Sequence, residues 1–101
     1  ARFSTERLAV YGDRPVGKVA SFCGAGMDED SVAFALAEGA DTFVSSDGKH
    51  HLIAQLVQHG VNVVLLTHYA AENYGFIRFA EILKNQLKGT PVRTFTDERL
   101  L

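Results

Sequence analysis

Short runs of apolar and β-branched residues alternate along this chain with segments whose apolar residues recur at helical spacing. The apolar positions 32, 33, 36 and 37 and the positions 52, 53, 56 and 57 have the spacing of one helix face. The run from Val61 to Thr67 is typical of a strand that is covered on both faces. In chain order, the pattern predicts a strand over 18–23, a helix after 28–31, a strand over 42–45, a helix from about 49, the strand over 61–67, a helix from about 70 and a short strand over 92–95.

Glycines end the three predicted helices, at Gly39, Gly60 and Gly89. A further strand is expected over 8–11. The order β-α-β-α-β-α-β predicts the α/β class, with a mostly parallel sheet, helices on both faces and right-handed crossovers. Because no linker or low-complexity tract divides the chain, we expect one α/β domain over 1–101.

Composition and charge exclude several classes of protein. Of the 101 residues, 47% are hydrophobic and 22% charged, which argues against disorder, and the net charge of −2 argues against a basic nucleic-acid surface. The longest apolar run, 63–66, is far shorter than the roughly 20 residues of a membrane span. The single cysteine, Cys23, is compatible with a reducing compartment, so we expect a cytoplasmic protein. Residues 1–7 hold neither a signal segment nor an initiator Met, so we expect a chain that is mature, trimmed or cut from a longer protein.

Three polar loops follow the predicted strands, over 23–26, 45–51 and 67–72. In a parallel α/β sheet these loops meet at the carboxyl edge, where ligands bind. His68 and Glu72 lie four residues apart at the start of a helix, so imidazole and carboxylate share one face and could bind one cation. Such a nitrogen and oxygen pair suits zinc, manganese or iron. The alternative is a helix-start Glu favoured by the helix dipole, beside a solvated His.

The second loop carries Asp47, His50 and His51. These residues could supply a further ligand, a proton shuttle or a hydrogen-bond partner for a ligand. The alternative is that Asp47 caps the second helix while both histidines are exposed in its first turn. The glycines of the first loop, Gly24 and Gly26, are predicted to let the backbone approach another loop or a substrate.

The first loop does not match the known phosphate-binding patterns. A dinucleotide fingerprint needs a third glycine, and Glu29 stands there. The acidic residues 28–30 also oppose an anion at that helix start. Cys23 is more simply interpreted as a packed small side chain.

Three segments, taken in order, resemble a known family. The first is 19–26, the second is 39–47 together with Lys49 and His51, and the third is 67–72. They are similar to the carboxy-terminal part of NIF-three-like proteins, also called GTP cyclohydrolase 1 type 2 homologues or dinuclear metal centre proteins. The resemblance covers about 17–97. One departure is that Ser45-Ser46-Asp47 stands where the family usually has Thr-Gly-Asp/Glu.

The resemblance implies one lobe of a two-lobed protein that holds two divalent metal ions between its lobes. It implies that His68 and Glu72 are metal ligands, and that the remaining ligands lie in an amino-terminal lobe that these residues lack. Asp47 and His51 are similar to positions that line the metal cleft, and Gly24 and Gly26 are expected at the substrate cleft. The expected partners are the amino-terminal lobe and further copies, since family members form homo-hexamers; no nucleic acid or membrane partner is expected.

The expected function is therefore that of a carboxy-terminal lobe in a divalent-metal protein. If the whole protein is an enzyme, a metal-dependent hydrolase of nucleotide-like or small phosphorylated substrates fits best, with Asp47 or His51 managing protons. Two alternatives stay open. One is a non-catalytic α/β interaction or assembly module, and the other is a sensor lobe that binds a small molecule at the same edge.

Overall fold

Four strands form one mixed sheet in the computed structural model, which describes residues 7–101. The elements are β1 (Leu8–Tyr11), β2 (Val19–Ser21), α1 (Glu29–Ala37), β3 (Thr42–Ser45), α2 (His50–Gln58), β4 (Asn62–Leu66), α3 (His68–Gln86) and a final 3-10 turn (Glu98–Leu100). The strand order is β1-β4-β3-β2. Strands β2, β3 and β4 pair in parallel, and β1 pairs antiparallel with β4. The predicted α/β class with a mostly parallel sheet is confirmed.

The core lies on one face of this sheet. Phe43 and Val63 are neighbours in register and are fully buried under helices α1 and α2. Val32 of α1 and Leu56 of α2 belong to the same buried cluster, so both helices pack on the same face of the sheet. This is expected, because the chain moves from β2 to β3 to β4 in one direction across the sheet, and right-handed crossovers in one direction place their helices on one face. None of the described residues in this cluster comes from α3.

Helix caps follow from the local sequence. The carboxylate of Asp28 accepts a hydrogen bond of 2.7 Å from the N–H of Ser31, whose hydroxyl accepts one from the N–H of Asp28, so the two residues form a reciprocal cap for α1. The hydroxyl of Thr67 accepts a 3.1 Å bond from the N–H of Ala70. This cap starts α3 at His68, two residues before the predicted start, and so places His68 in the first helical turn.

Two polar side chains at the other edge of the sheet hold the segment between β1 and β2. The carboxylate of Asp41 accepts hydrogen bonds from the backbone N–H groups of Gly17 and Lys18, at 2.9 and 2.7 Å. The amide of Asn62 accepts from the N–H of Arg14 at 2.9 Å and donates to its carbonyl at 2.8 Å. The segment therefore has fixed backbone partners although most of it is exposed.

The predicted strand over 92–95 is wrong. This segment forms no ladder and instead packs along α3, where Val92 and Thr94 line a hollow with Ile77. The hydroxyl of Tyr69 accepts a 2.8 Å hydrogen bond from the N–H of Asp97, which fixes the end of the segment on the helix. The edge of β4 at which a further strand could pair is taken by β1.

Helix α3 extends the molecule beyond the core. Its 19 residues span about 28 Å, and the molecule measures 52 × 28 × 23 Å. The radius of gyration is 15.8 Å, compared with about 13 Å for a compact domain of this length. Across residues 7–101, no helix combines the length and apolar character that crossing a membrane requires.

Candidate metal centre

The loops after β2, β3 and β4 meet at the carboxyl edge of the sheet, as the topology predicted. The carbonyl of Gly24, after β2, accepts a hydrogen bond from the N–H of Asp47, after β3, at 3.2 Å. The hydroxyl of Ser46 donates to the same carbonyl. These bonds join two of the loops directly beneath the first turn of α3.

His68 is the centre of the polar cluster at this edge. Its Nε2 lies 2.9 Å from Oε1 of Glu72, one helical turn further along α3. Its Nδ1 is hydrogen-bonded to Oδ2 of Asp47. The imidazole is therefore held between two carboxylates, one on each ring nitrogen. All three side chains are about half exposed, so solvent reaches the cluster.

This arrangement changes the protonation of His68. The hydrogen bond to Asp47 raises the pKa of the imidazole above its ordinary value, and the negative charges of Glu72 and Asp47 act in the same direction. Partial desolvation opposes the shift. A proton therefore competes with a cation for Nε2 up to a higher pH than it would on the ring of a free histidine.

Gly24 lies directly against this cluster. Its φ is +66°, in the left-handed region, and a Cβ built on it would lie 3.1 Å from Nε2 of His68 and still closer to Oε1 of Glu72. The close backbone approach that the sequence predicted is therefore present at Gly24. The constraint at Gly26 is different, because a Cβ there would lie 2.7 Å from Cβ of Phe22, within its own loop.

His51 lies in a different hollow from His68. It lines a cavity of about 380 Å³ with the acidic residues 28–30 and Lys49, at the amino ends of α1 and α2. The structure thus brings Asp47 to the cluster but not His51. The alternative in which Asp47 caps α2 is wrong, since the cap residue is Lys49 and no side-chain hydrogen bond closes that end. The other part of that alternative, that His50 and His51 are exposed, is confirmed.

The geometry of His68 and Glu72 fits a shared cation. Two donor atoms 2.9 Å apart can each lie about 2.1 Å from one ion, with roughly 90° between the two bonds. Imidazole nitrogen with carboxylate oxygen suits zinc, manganese or iron. Asp47 has the place of the carboxylate that commonly orients a ligating histidine through its other nitrogen. Among the described residues, no group of three or more His, Cys, Asp or Glu side chains is arranged to hold a metal ion, so this chain offers a partial site.

An apolar hollow of about 350 Å³ adjoins the cluster and shares Glu72 with it. Its other lining residues are Tyr69, Asn73, Phe76 and Phe95. The spacing of Phe76 with Phe79 and Leu83 indicates an apolar helix face, but it does not show that Phe76 is 61% exposed. Nothing in the sequence linked Phe95 to Glu72, because their proximity depends on how the last segment returns along α3.

Comparisons with known proteins agree on one family. The model of the family described as Duf34/NIF3 (NGG1p interacting factor 3) matches residues 1–98. A curated relative, the GTP cyclohydrolase 1 type 2 homolog of Methanocaldococcus jannaschii, is 36% identical over 70 residues, which make up 69% of this chain and 28% of the relative. The chain thus spans little more than a quarter of that relative's length.

Solved structures give the same picture. The hypothetical protein SA1388 of Staphylococcus aureus is similar with a TM-score of 0.69 and 27% identity, over 82% of this chain and 27% of that one. Reduced HcgD from Methanocaldococcus jannaschii is similar with a TM-score of 0.67 and 30% identity, over 81% of this chain and 34% of that one. In both cases the similarity covers most of this chain and about a third or less of the other protein.

Proposed function

This chain belongs to the Duf34/NIF3 family, and on that premise we propose that it supplies one half of a divalent-metal site in a larger protein. The proposed ligands are Nε2 of His68 and a carboxylate oxygen of Glu72. Asp47 is the proposed orienting partner, which holds the other ring nitrogen. The single observation that carries the proposal is the 2.9 Å approach of His68 and Glu72 with Asp47 on the opposite side of the ring.

The rest of the metal site is proposed to lie outside this chain. Two ligands do not make a tight site, because catalytic zinc usually has three protein ligands and structural zinc four. The match with the curated relative covers only 28% of that protein, which leaves ample chain for further ligands. We therefore propose that an amino-terminal lobe completes the centre. We also propose that the whole protein is cytoplasmic.

The reaction proposed for the whole protein is a hydrolysis. A divalent ion at this place would supply Lewis acidity toward a nucleotide-like or small phosphorylated substrate. In this chain, Asp47 would keep the imidazole of His68 oriented by holding the proton at Nδ1. Gly24 would let the backbone close one side of the cluster without a side chain. The name of the curated relative, a GTP cyclohydrolase 1 type 2 homolog, supports this reaction class.

The metal proposal is tested by calorimetric titration of the 101-residue chain with Zn²⁺ and with Mn²⁺. We expect weak binding of one ion, which His68→Ala abolishes and Glu72→Gln weakens. His59→Ala is the matched control, since His59 is also an exposed helix-end histidine. Within residues 7–101 its ring bonds its own helix, through Nδ1 and the carbonyl of Gln55 at 2.8 Å. Absence of binding by the unaltered chain, or equal binding by His68→Ala, would contradict the proposal.

A second candidate function, an assembly module, is favoured by the apolar surface of α3. Phe76, Phe79 and Ile82 are 61%, 55% and 58% exposed, although each is large and apolar. Surfaces of this kind mark interaction sites in soluble proteins. The proposed occupants are the amino-terminal lobe and further copies of the protein. Sedimentation analysis with and without Zn²⁺ tests assembly with further copies, because a module that assembles in this way self-associates through α3 whether or not the metal is added.

A further inference from the structure

Ser46 is a buried polar residue beside the candidate metal centre. Its side chain is only 5% exposed, and its hydroxyl donates a hydrogen bond to the carbonyl of Gly24. The N–H of the next residue, Asp47, donates to the same carbonyl at 3.2 Å. A carbonyl oxygen has two lone pairs and can accept both bonds. One backbone oxygen therefore receives two donors from adjacent residues.

The residues joined in this way contact His68 from two sides. Gly24 faces Nε2 of His68 and Glu72, since a Cβ built on it would lie 3.1 Å from that nitrogen and closer still to Oε1 of Glu72. Asp47 holds Nδ1 of the same ring. A shift of the first loop relative to the second would therefore change both contacts of the imidazole at once. The hydrogen bond from the hydroxyl of Ser46 to the carbonyl of Gly24 opposes such a shift.

We infer that Ser46 is a positioning residue for the candidate metal centre, which keeps Gly24 and Asp47 in register around His68. The inference rests on the proposed function for its metal readout. It does not require Ser46 to contact the ion. The hydroxyl acts through Asp47 and through the loop that carries Gly24.

Ser45 provides a matched control within the same strand end. It is 1% exposed, and its hydroxyl donates a 2.6 Å hydrogen bond to the carbonyl of Phe22. Like Ser46, it is a buried serine whose hydroxyl donates to a backbone carbonyl. However, Phe22 lies before the glycine loop, and neither Ser45 nor Phe22 contacts the described side chains of His68, Glu72 or Asp47 through a hydrogen bond or ion pair.

The experiment compares Ser46→Ala with Ser45→Ala in three measurements. These are the free energy of unfolding in urea, the imidazole ¹⁵N shifts of His68 in the metal-free chain at one fixed pH, and the dissociation constant for Zn²⁺. Both variants lose a buried hydroxyl donor, so we expect similar destabilisation. Only Ser46→Ala should move the ring shifts of His68, and only it should raise the Zn²⁺ dissociation constant, by about tenfold, as loss of an orienting partner does.

Two results would overturn the inference. In the first, Ser46→Ala leaves the His68 shifts unchanged; in the second, Ser45→Ala moves them equally. If the unaltered chain binds no Zn²⁺, the proposed function fails, while the metal-free shifts still decide the role of Ser46. If Ser46→Ala does not fold, Ser46→Cys fills a similar space with a weaker donor, and we expect it to move the His68 shifts in the same direction. Unchanged shifts in that variant would also contradict the inference.

Discussion

Replacement of Gly24 by alanine should separate the integrity of the candidate metal centre from the stability of the fold. The new Cβ would lie 3.1 Å from Nε2 of His68 and closer still to the carboxylate of Glu72. The Glu72 atom is the end of a flexible, half-exposed side chain, so it can swing away. We therefore expect Gly24→Ala to fold, with Glu72 displaced from His68.

The cost to stability comes mainly from the backbone. An L-residue other than glycine in the left-handed region costs about 1–2 kcal/mol. The φ of Gly24 is +66°, so this cost applies in full. The exposed contact between His68 and Glu72 adds little to stability, because solvent screens such pairs. Unfolding in urea should therefore show a loss of about 1–2 kcal/mol in the free energy of unfolding.

Gly39→Ala is the control for this experiment. Gly39 has a nearly equal φ of +71°, and a Cβ added to it would have no neighbouring heavy atom within 4 Å. It should show the same backbone cost without touching the metal centre. We expect Zn²⁺ affinity to fall about tenfold or more in Gly24→Ala and to stay unchanged in Gly39→Ala. Equal affinity in the two variants would refute the view that Gly24 gives space to the pair of ligands.

Two further predictions concern stability away from the site. Gly75→Ala should raise the free energy of unfolding by about 0.5–1 kcal/mol, because Gly75 lies inside α3 with open space around it; a lower value in urea unfolding would contradict this. The N–H groups of Gly17 and Lys18 hold the pKa of the Asp41 carboxyl below its ordinary value, so the stability that Asp41 provides is present above about pH 4 and is lost as the pH falls through its folded pKa. Asp41→Asn should therefore be less stable than the unaltered chain at neutral pH, and it should lose less stability on acidification. Parallel acid-unfolding curves for the variant and the unaltered chain would argue against this role of Asp41.

The residues of the site and the sheet edge on which they lie could be predicted from the sequence, but the contact that depends on strand register could not. His68 and Glu72 share one helix face because they are four residues apart, and this spacing can be read from the sequence. Asp47 is 21 residues from His68, and their contact depends on the pairing of Ser45 with Leu65 in the parallel ladder. No periodicity in the sequence encodes that register.

The fold shows the same division between local and non-local information. A helix was predicted after 28–31 from the local residue pattern, and Asp28 caps α1. The segment over 92–95 was predicted as a strand from its residue types, which describe a preference for extended backbone but not the presence of a partner. His51 was grouped with Asp47 because they are close in sequence. The first turn of α2 directs it to the hollow at the start of α1 instead.

Helix α3 shows what an amphipathic pattern can and cannot establish. The spacing of Phe76, Phe79 and Leu83 correctly indicates an apolar helix face, but the pattern does not say which surface covers it. In this chain the helical side chains of the described buried cluster come from α1 and α2, and none of them comes from α3. Phe76 and Phe79 stay more than half exposed. Since Glu72 belongs both to that centre and to the hollow lined by Phe76, whatever covers α3 would also limit solvent access to the proposed ligands.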